Sequence, residues 1–180
     1  MRLLKKLKYP SSISISKTQN PPKRSNLYSI SIKTLAGKTI ELSQFKGKYI
    51  LFVNVASECG FTPQYRELQK LHKTYEDKLT IIGVPCNQFG NQEPGAPTQI
   101  RTFCDRNFGV TFLLTEKLAV KGSSQHPLYG WLTKKELNGL KNSSVKWNFQ
   151  KYLIDEKGEL VDYFYSITEP MSSKITKHLK

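Results

Sequence analysis

Cys59 lies in Ser57-Glu-Cys-Gly-Phe-Thr-Pro-Gln64, between an almost unbroken apolar run, Tyr49–Ala56, and a segment with helical periodicity. That position is chemically informative. In open α/β sheets ligands bind at the carboxyl ends of the strands. A helix start adds unpaired amide protons and a partial positive charge, which favour a thiolate over a thiol. A lowered thiol pKa is the first requirement of a cysteine nucleophile. Cys59-Gly-Phe-Thr62 has the shape of a Cys-x-x-Cys centre, but Thr62 stands where the second sulfur would be. A dithiol exchange centre cannot close here, whereas a single thiolate that its substrate oxidises can. Most cysteines are inert and packed; the strand–Cys-Gly–helix placement reverses that preference.

Three cysteines, Cys59, Cys86 and Cys104, are too few and odd in number for a secreted disulfide scaffold. They fit a reducing compartment with one or two reactive thiols. Cys86, at a strand end, reads as packed and inert. His72, His126 and His178 are scattered, with no His-x-x-x-His or Cys-x-x-Cys pair, so no metal site is expected. Nor is there a haem or flavin motif. No cofactor is expected, and any redox chemistry rests on sulfur.

The elements that must position Cys59 follow from the patterning. Tyr28, Ile30 and Ile32 alternate with Ser29, Ser31 and Lys33, and Lys38–Leu42 alternates again beyond a Gly-containing turn, which predicts a hairpin. Tyr49–Ala56 is a central, doubly buried strand. A helix should run to about Lys78, with Tyr65, Leu68, Leu71 and Tyr75 on one face, Thr62 as N-cap and Pro63 at its first position. Leu79–Val84 is a second buried strand, followed by a helix over about Thr98–Asn107 and a strand at Phe112–Leu114. A helix over Pro127–Lys135 comes next, then a hairpin from Tyr152–Asp155 and Leu160–Tyr165, and a last helix from Glu169 with Met171, Ile175 and Leu179 on one face. This order predicts an α/β, thioredoxin-like fold: a central mixed β-sheet flanked by helices, with an N-terminal β-hairpin.

The chain has 180 residues, enough for one domain, and a net charge of +14. Residues 1–26 hold seven of the 28 Lys/Arg and no acid, so half of the excess lies in a basic tail rich in Ser, Asn and Pro. The expected division is a disordered tail over 1–26 and a domain over 27–180. The charge reads as a solvated surface, because no zinc-finger spacing, recognition helix or RNA-binding aromatic motif accompanies it. No nucleic-acid partner is expected. No apolar run is long enough to span a bilayer, so membrane association is at most peripheral. The tail lacks the apolar segment of a secretory signal but has the charge and serines of a transit peptide. The expected location is cytoplasmic, or an organelle if residues 1–26 direct import.

Three segments carry a family resemblance: Asn54-Val-Ala-Ser-Glu-Cys-Gly-Phe-Thr62, Pro85-Cys-Asn-Gln-Phe-Gly-Asn-Gln-Glu-Pro-Gly95 and Val145-Lys-Trp-Asn-Phe-Gln-Lys-Tyr-Leu-Ile154. In this order they resemble the signature segments of glutathione peroxidases, and the likeness extends from about Leu27 to the C-terminus. It implies that Cys59 is the peroxidatic residue and that Gln92, Trp147 and Asn148 converge on it as a catalytic tetrad. Two side-chain amides and an indole N–H are neutral donors suited to a thiolate and a peroxide oxygen. Taken singly, Trp147 reads as core, Gln92 as a surface amide and Asn148 as a turn former.

Phe103-Cys-Asp-Arg-Asn-Phe-Gly-Val-Thr111 is similar to the segment that holds the resolving cysteine in the non-selenium, thioredoxin-dependent branch. The resemblance therefore gives that role to Cys104, with thioredoxin, or less readily glutathione, as reductant. Bridged cysteines need Cα atoms about 4.4–6.8 Å apart. With the two cysteines on different helices, the Cys104 helix should partly unfold in turnover. The stretch Gly130–Asn142 is short, as in the monomeric members, which implies a monomer with an open site that suits hydrogen peroxide and bulky lipid hydroperoxides. The alternative is a peroxide sensor that relays oxidation to a partner protein. A thiol–disulfide oxidoreductase is disfavoured by Thr62, and a non-catalytic basic binding protein ranks last.

Overall fold

The computed structural model describes residues 26–180; the tail expected over 1–26 lies, but for Asn26, outside the described residues. Strands β1 (Ser31–Lys33) and β2 (Thr39–Glu41) form the N-terminal hairpin. A five-stranded sheet follows in the order β5-β4-β3-β6-β7. Its strands are β3 (Tyr49–Val55), β4 (Leu79–Pro85), β5 (Leu113–Leu114), β6 (Lys151–Ile154) and β7 (Leu160–Phe164). The β3–β4 and β4–β5 pairs are parallel, and the β3–β6 and β6–β7 pairs antiparallel. Helices α1 (Gln64–Thr74), α2 (Pro97–Phe108), α3 (Pro127–Thr133), α4 (Lys135–Asn138) and α5 (Ser173–Thr176) complete the set.

The continuous apolar run of β3 is explained by burial on both faces of the sheet. Ile50 and Phe52 join one cluster with Ile82, Val84, Leu128, Tyr129 and Tyr152. Leu51, Val53 and Val55 join the other, with Leu68 and Leu71 of α1, Ile100 of α2 and Ile175 of α5. Each such side chain contributes roughly 1.5–3 kcal/mol of burial free energy, so the centre of the sheet is the most firmly held part of the molecule.

The hairpin and the mixed sheet are as the sequence predicts, and four boundaries differ by more than a residue. Residues Leu27–Ser29 form a 3₁₀ turn, capped where Asn26 Oδ1 accepts the Tyr28 N–H at 3.0 Å, so only Ser31–Lys33 pairs as a strand. Helix α1 stops at Thr74, where Tyr75 leaves helical geometry and its carbonyl accepts the Lys78 and Leu79 N–H groups. The helix expected over Pro127–Lys135 breaks at Lys134, whose backbone is extended. The final helix shrinks to Ser173–Thr176: Pro170 disfavours helical backbone at Glu169, and Ser172 caps the short turn that remains. Ile175 and, beyond the helix, Leu179 are still buried.

Gly158, in the β6–β7 turn, has φ +83°, and a Cβ there would lie 2.5 Å from the Tyr28 ring. Gly37 has φ +79° and nothing within 4 Å. Gly158→Ala should therefore lower the unfolding free energy by about 2–4 kcal/mol, the sum of backbone strain and a clash, and Gly37→Ala by only about 1 kcal/mol. Equal losses in urea unfolding would show that the Tyr28 contact is slack.

Candidate active site

Residues 56–63 carry the chain from the end of β3 into α1, and Cys59 lies in this turn, after the strand and ahead of the helix as expected. Its side chain is packed in the α1–α2 cluster, and the Phe61 backbone N–H donates to its sulfur at 3.4 Å. Thr62 does not cap α1. Its hydroxyl accepts the Cys59 N–H at 3.0 Å and donates to the Ala56 carbonyl at 2.9 Å, tying the turn across its own base. Pro63 takes the cap position, with helical φ and ψ.

Two further loops meet this turn. The Glu58 N–H donates to the Gln92 carbonyl at 3.0 Å, which joins the loop after β4 to the cysteine turn. Asn148 Nδ2 donates to Gln92 Oε1 at 3.0 Å, which joins that loop to the segment before β6. Asn148 is fully buried and its Oδ1 has no partner. Trp147 is 40% exposed and packs on Phe89, with ring centroids 5.6 Å apart. Gln92 and Asn148 are thus in direct contact beside the Cys59 turn, with Trp147 next to Asn148 in the chain.

The 144–150 segment is held tightly. Phe149 adopts φ +63°, unusual for a residue with a side chain. Its N–H donates to the Asn54 carbonyl, and Asn54 Nδ2 donates to the Trp147 carbonyl at 3.0 Å. The Gln150 side chain accepts from Lys146 N–H and donates to the Ser144 carbonyl and Tyr152 hydroxyl. Ser166 Oγ donates to the Asn148 carbonyl at 2.6 Å.

Cys104 is on α2 as expected, fully buried in the same cluster as Cys59, while Cys86 lies in the cluster on the opposite face of the sheet. All three are free thiols. Burial pushes the Cys104 thiol up to about 11, with the Tyr65 hydroxyl beside it opposing the shift. Burial also raises the Cys86 thiol. His126 caps α3 through Nδ1, and His72 packs edge-on against Phe112. Among the described residues no group of three or more His, Cys, Asp or Glu could hold a metal ion, and no helix is long and apolar enough to cross a membrane.

Three features escaped the sequence. The role of Thr62 is one. Glu93 is fully buried and its carboxyl is shifted upward by burial; Ser57 stands beside it and opposes the shift, yet neither carboxylate oxygen nor the Ser57 hydroxyl forms a hydrogen bond. Both line a cleft of about 370 Å³ between the cysteine turn and α2. Lys151, in β6, is a fully buried lysine. Nothing in the local pattern of Gln150-Lys-Tyr-Leu-Ile154 marks that lysine as internal.

A mixed five-stranded sheet flanked by helices, with a thiol at the turn between its central strand and the first helix, defines a thioredoxin-like fold. The comparisons place it further. The family model for glutathione peroxidase matches residues 27–133. A glutathione peroxidase of Lactococcus lactis is 47% identical over 157 residues, 86% of this chain and 99% of its own. The glutathione peroxidase-like peroxiredoxin 2 of Saccharomyces cerevisiae is 47% identical over 148 residues, 82% of this chain and 91% of its own. The crystal structure of Trgpx in apo form superposes with a TM-score of 0.68 at 37% identity, covering 87% of this chain and 94% of that one. The chain belongs to the glutathione peroxidase family and is a thiol peroxidase, an antioxidant enzyme.

Thr62→Val should leave the Cys59 N–H and the Ala56 carbonyl without their partner, lowering the unfolding free energy by about 1–3 kcal/mol. It should also slow oxidation of Cys59 by hydrogen peroxide in stopped-flow measurements. Thr62→Ser, which keeps the hydroxyl, should stay close to wild type in both. A Thr62→Val protein as stable and as reactive as wild type would remove this role.

Proposed function

We propose that Cys59 is the peroxidatic residue and that Gln92, Trp147 and Asn148 are the donors that serve it. The Cys59 thiolate attacks one oxygen of the hydroperoxide; an S–O bond forms, the O–O bond breaks, and the leaving alkoxide takes up the proton that the thiol gave away. The products are a sulfenic acid and an alcohol, or water when the substrate is hydrogen peroxide. Side-chain amide and indole protons stabilise the charge that develops on the departing oxygen. The observation that carries this reading is the Asn148–Gln92 hydrogen bond, which joins two loops distant in sequence beside the cysteine turn.

Cys104 then resolves the sulfenic acid: its sulfur displaces hydroxide from Cys59, its proton completes a water molecule, and a disulfide remains. The reductant is the dithiol of thioredoxin, with glutathione less effective. Cys104 suits this role better than Cys86 because it shares a face of the sheet with Cys59. Its complete burial and raised thiol pKa mean that α2 must open before it can react. Opening also brings the two Cα atoms within bridging range.

The substrates extend to bulky apolar hydroperoxides. Tyr165 and Ile167 are 47% and 78% exposed and flank Ser166, which is bonded to Asn148, while Trp147 adds a second exposed ring. This apolar rim fits an acyl chain. The enzyme works as a monomer in the cytoplasm, where free thiols persist.

Thioredoxin-coupled NADPH oxidation, with hydrogen peroxide and with a lipid hydroperoxide, tests the scheme. Cys59→Ser should abolish turnover. Cys104→Ser should lose thioredoxin-driven turnover yet still consume about one equivalent of peroxide as Cys59 oxidises. After one equivalent, mass spectrometry of wild type should find a Cys59–Cys104 bridge. Full activity in Cys59→Ser would end the assignment, and a Cys59–Cys86 bridge would remove the resolving role of Cys104.

A further inference from the structure

Lys151 is fully buried. Its Nζ donates to Gln64 Oε1 at 2.7 Å and to the Phe149 carbonyl at 2.8 Å. The charged groups that act on it, Glu67 of α1 and Glu169 ahead of α5, favour its protonated form without forming an ion pair with it. Burial outweighs them and lowers its pKa to about 7. An ammonium group in such a place is destabilising, and an apolar side chain of similar volume would fill the space as well or better. Its two hydrogen bonds therefore point to what it holds.

What it holds is the framework of the site. Phe149 is in left-handed backbone geometry, and Lys151 satisfies its carbonyl. Gln64 is the first residue of α1, five positions beyond Cys59, and its Nε2 donates onward to the Ser166 carbonyl at 2.7 Å. Ser166 Oγ donates to the Asn148 carbonyl, and Asn148 donates to Gln92. Lys151 itself pairs with Val53 across the β3–β6 ladder, two residues before the end of β3. One nitrogen thus joins the start of the helix behind the cysteine turn to the strained turn that presents Trp147 and Asn148.

We propose that Lys151 is a positioning residue of this peroxidase: it acts through Gln64 and Phe149 to keep the amide donors in register with Cys59, without touching the substrate. The proposal rests on the reading of Cys59, Gln92 and Asn148 given above. It separates activity from stability. Removing a buried charge should offset the loss of its two hydrogen bonds, so the fold is not weakened, whereas releasing the Phe149 turn should misplace the donors. The sign of the pH effect follows. With a folded-state pKa of about 7 and an ordinary value of 10.5, the unfolded chain binds the extra proton between those limits. The destabilisation by Lys151 is therefore complete below pH 7 and fades as the pH rises toward 10.5.

The test is stopped-flow oxidation of full-length reduced Lys151→Met by hydrogen peroxide, set beside its urea unfolding at neutral and alkaline pH. The oxidation rate constant should fall about ten- to a hundredfold, as for a small misplacement of catalytic groups. Stability should equal or exceed wild type at neutral pH, and any gain should shrink at alkaline pH. Reduction of the oxidised protein by thioredoxin should be unchanged, since a general structural defect would slow both half-reactions. Gln64→Leu, which removes the acceptor and leaves the lysine, should slow oxidation in the same direction and carries the test if Lys151→Met does not fold. Wild-type oxidation rates in Lys151→Met, or in Gln64→Leu should the first variant not fold, would overturn the proposal. So would losses in Lys151→Met that fall equally on both half-reactions. Cys59→Ser, run alongside, separates the two readings: if it still reacts with peroxide, the site assignment itself fails; if it is inert while Lys151→Met is fast, only the role of Lys151 does.

Discussion

Asn54 bonds in three directions at the end of the central strand. Its N–H donates to the Gln150 carbonyl, its carbonyl accepts the Phe149 N–H, and its side chain donates to the Trp147 carbonyl. A single residue of β3, itself fully buried, thereby fixes the path of a segment more than ninety positions away. The cysteine turn begins at the next few residues of the same strand, so both halves of the site share one anchor. Because β3 is buried on both faces, that anchor cannot drift without disturbing the whole core.

The site is an exercise in neutral hydrogen bonding. Gln92, Asn148, Gln150, Gln64 and Ser166 make most of its contacts, and the charged groups lie in the layer behind. Amide groups keep their donors at any working pH. Besides the thiols, two ionisable side chains lie near it, Glu93 and Lys151; both are buried, and burial drives both toward their neutral forms.

Much of the fold was legible because burial leaves a periodic trace. Strands β3 and β4 announce themselves by continuous apolar residues, and α1 by Tyr65, Leu68 and Leu71 on one face. The short last helix was overdrawn because Met171, Ile175 and Leu179 keep helical spacing while Pro170 prevents the helix from starting at Glu169. At the site, Cys59 is marked by position, whereas Gln92, Trp147 and Asn148 become candidates only through the family resemblance. Thr62 shows the ambiguity of a hydroxyl beside a helix start: it can cap the helix or clasp the turn, and sequence does not distinguish the two. Lys151 leaves no trace, since a lysine in a strand is ordinarily exposed and its partners lie far off in the chain.

The N-terminal hairpin also guards the sheet. Strand β5 is only two residues long, and beyond it the Leu35 N–H donates to the Leu114 carbonyl while Thr34 bridges Thr115. An unpaired edge is a template on which another chain can add a strand. With this margin covered, a neighbouring molecule finds no free run of backbone groups there to extend into a shared sheet. The β5 margin is thereby closed as a route to strand-by-strand aggregation.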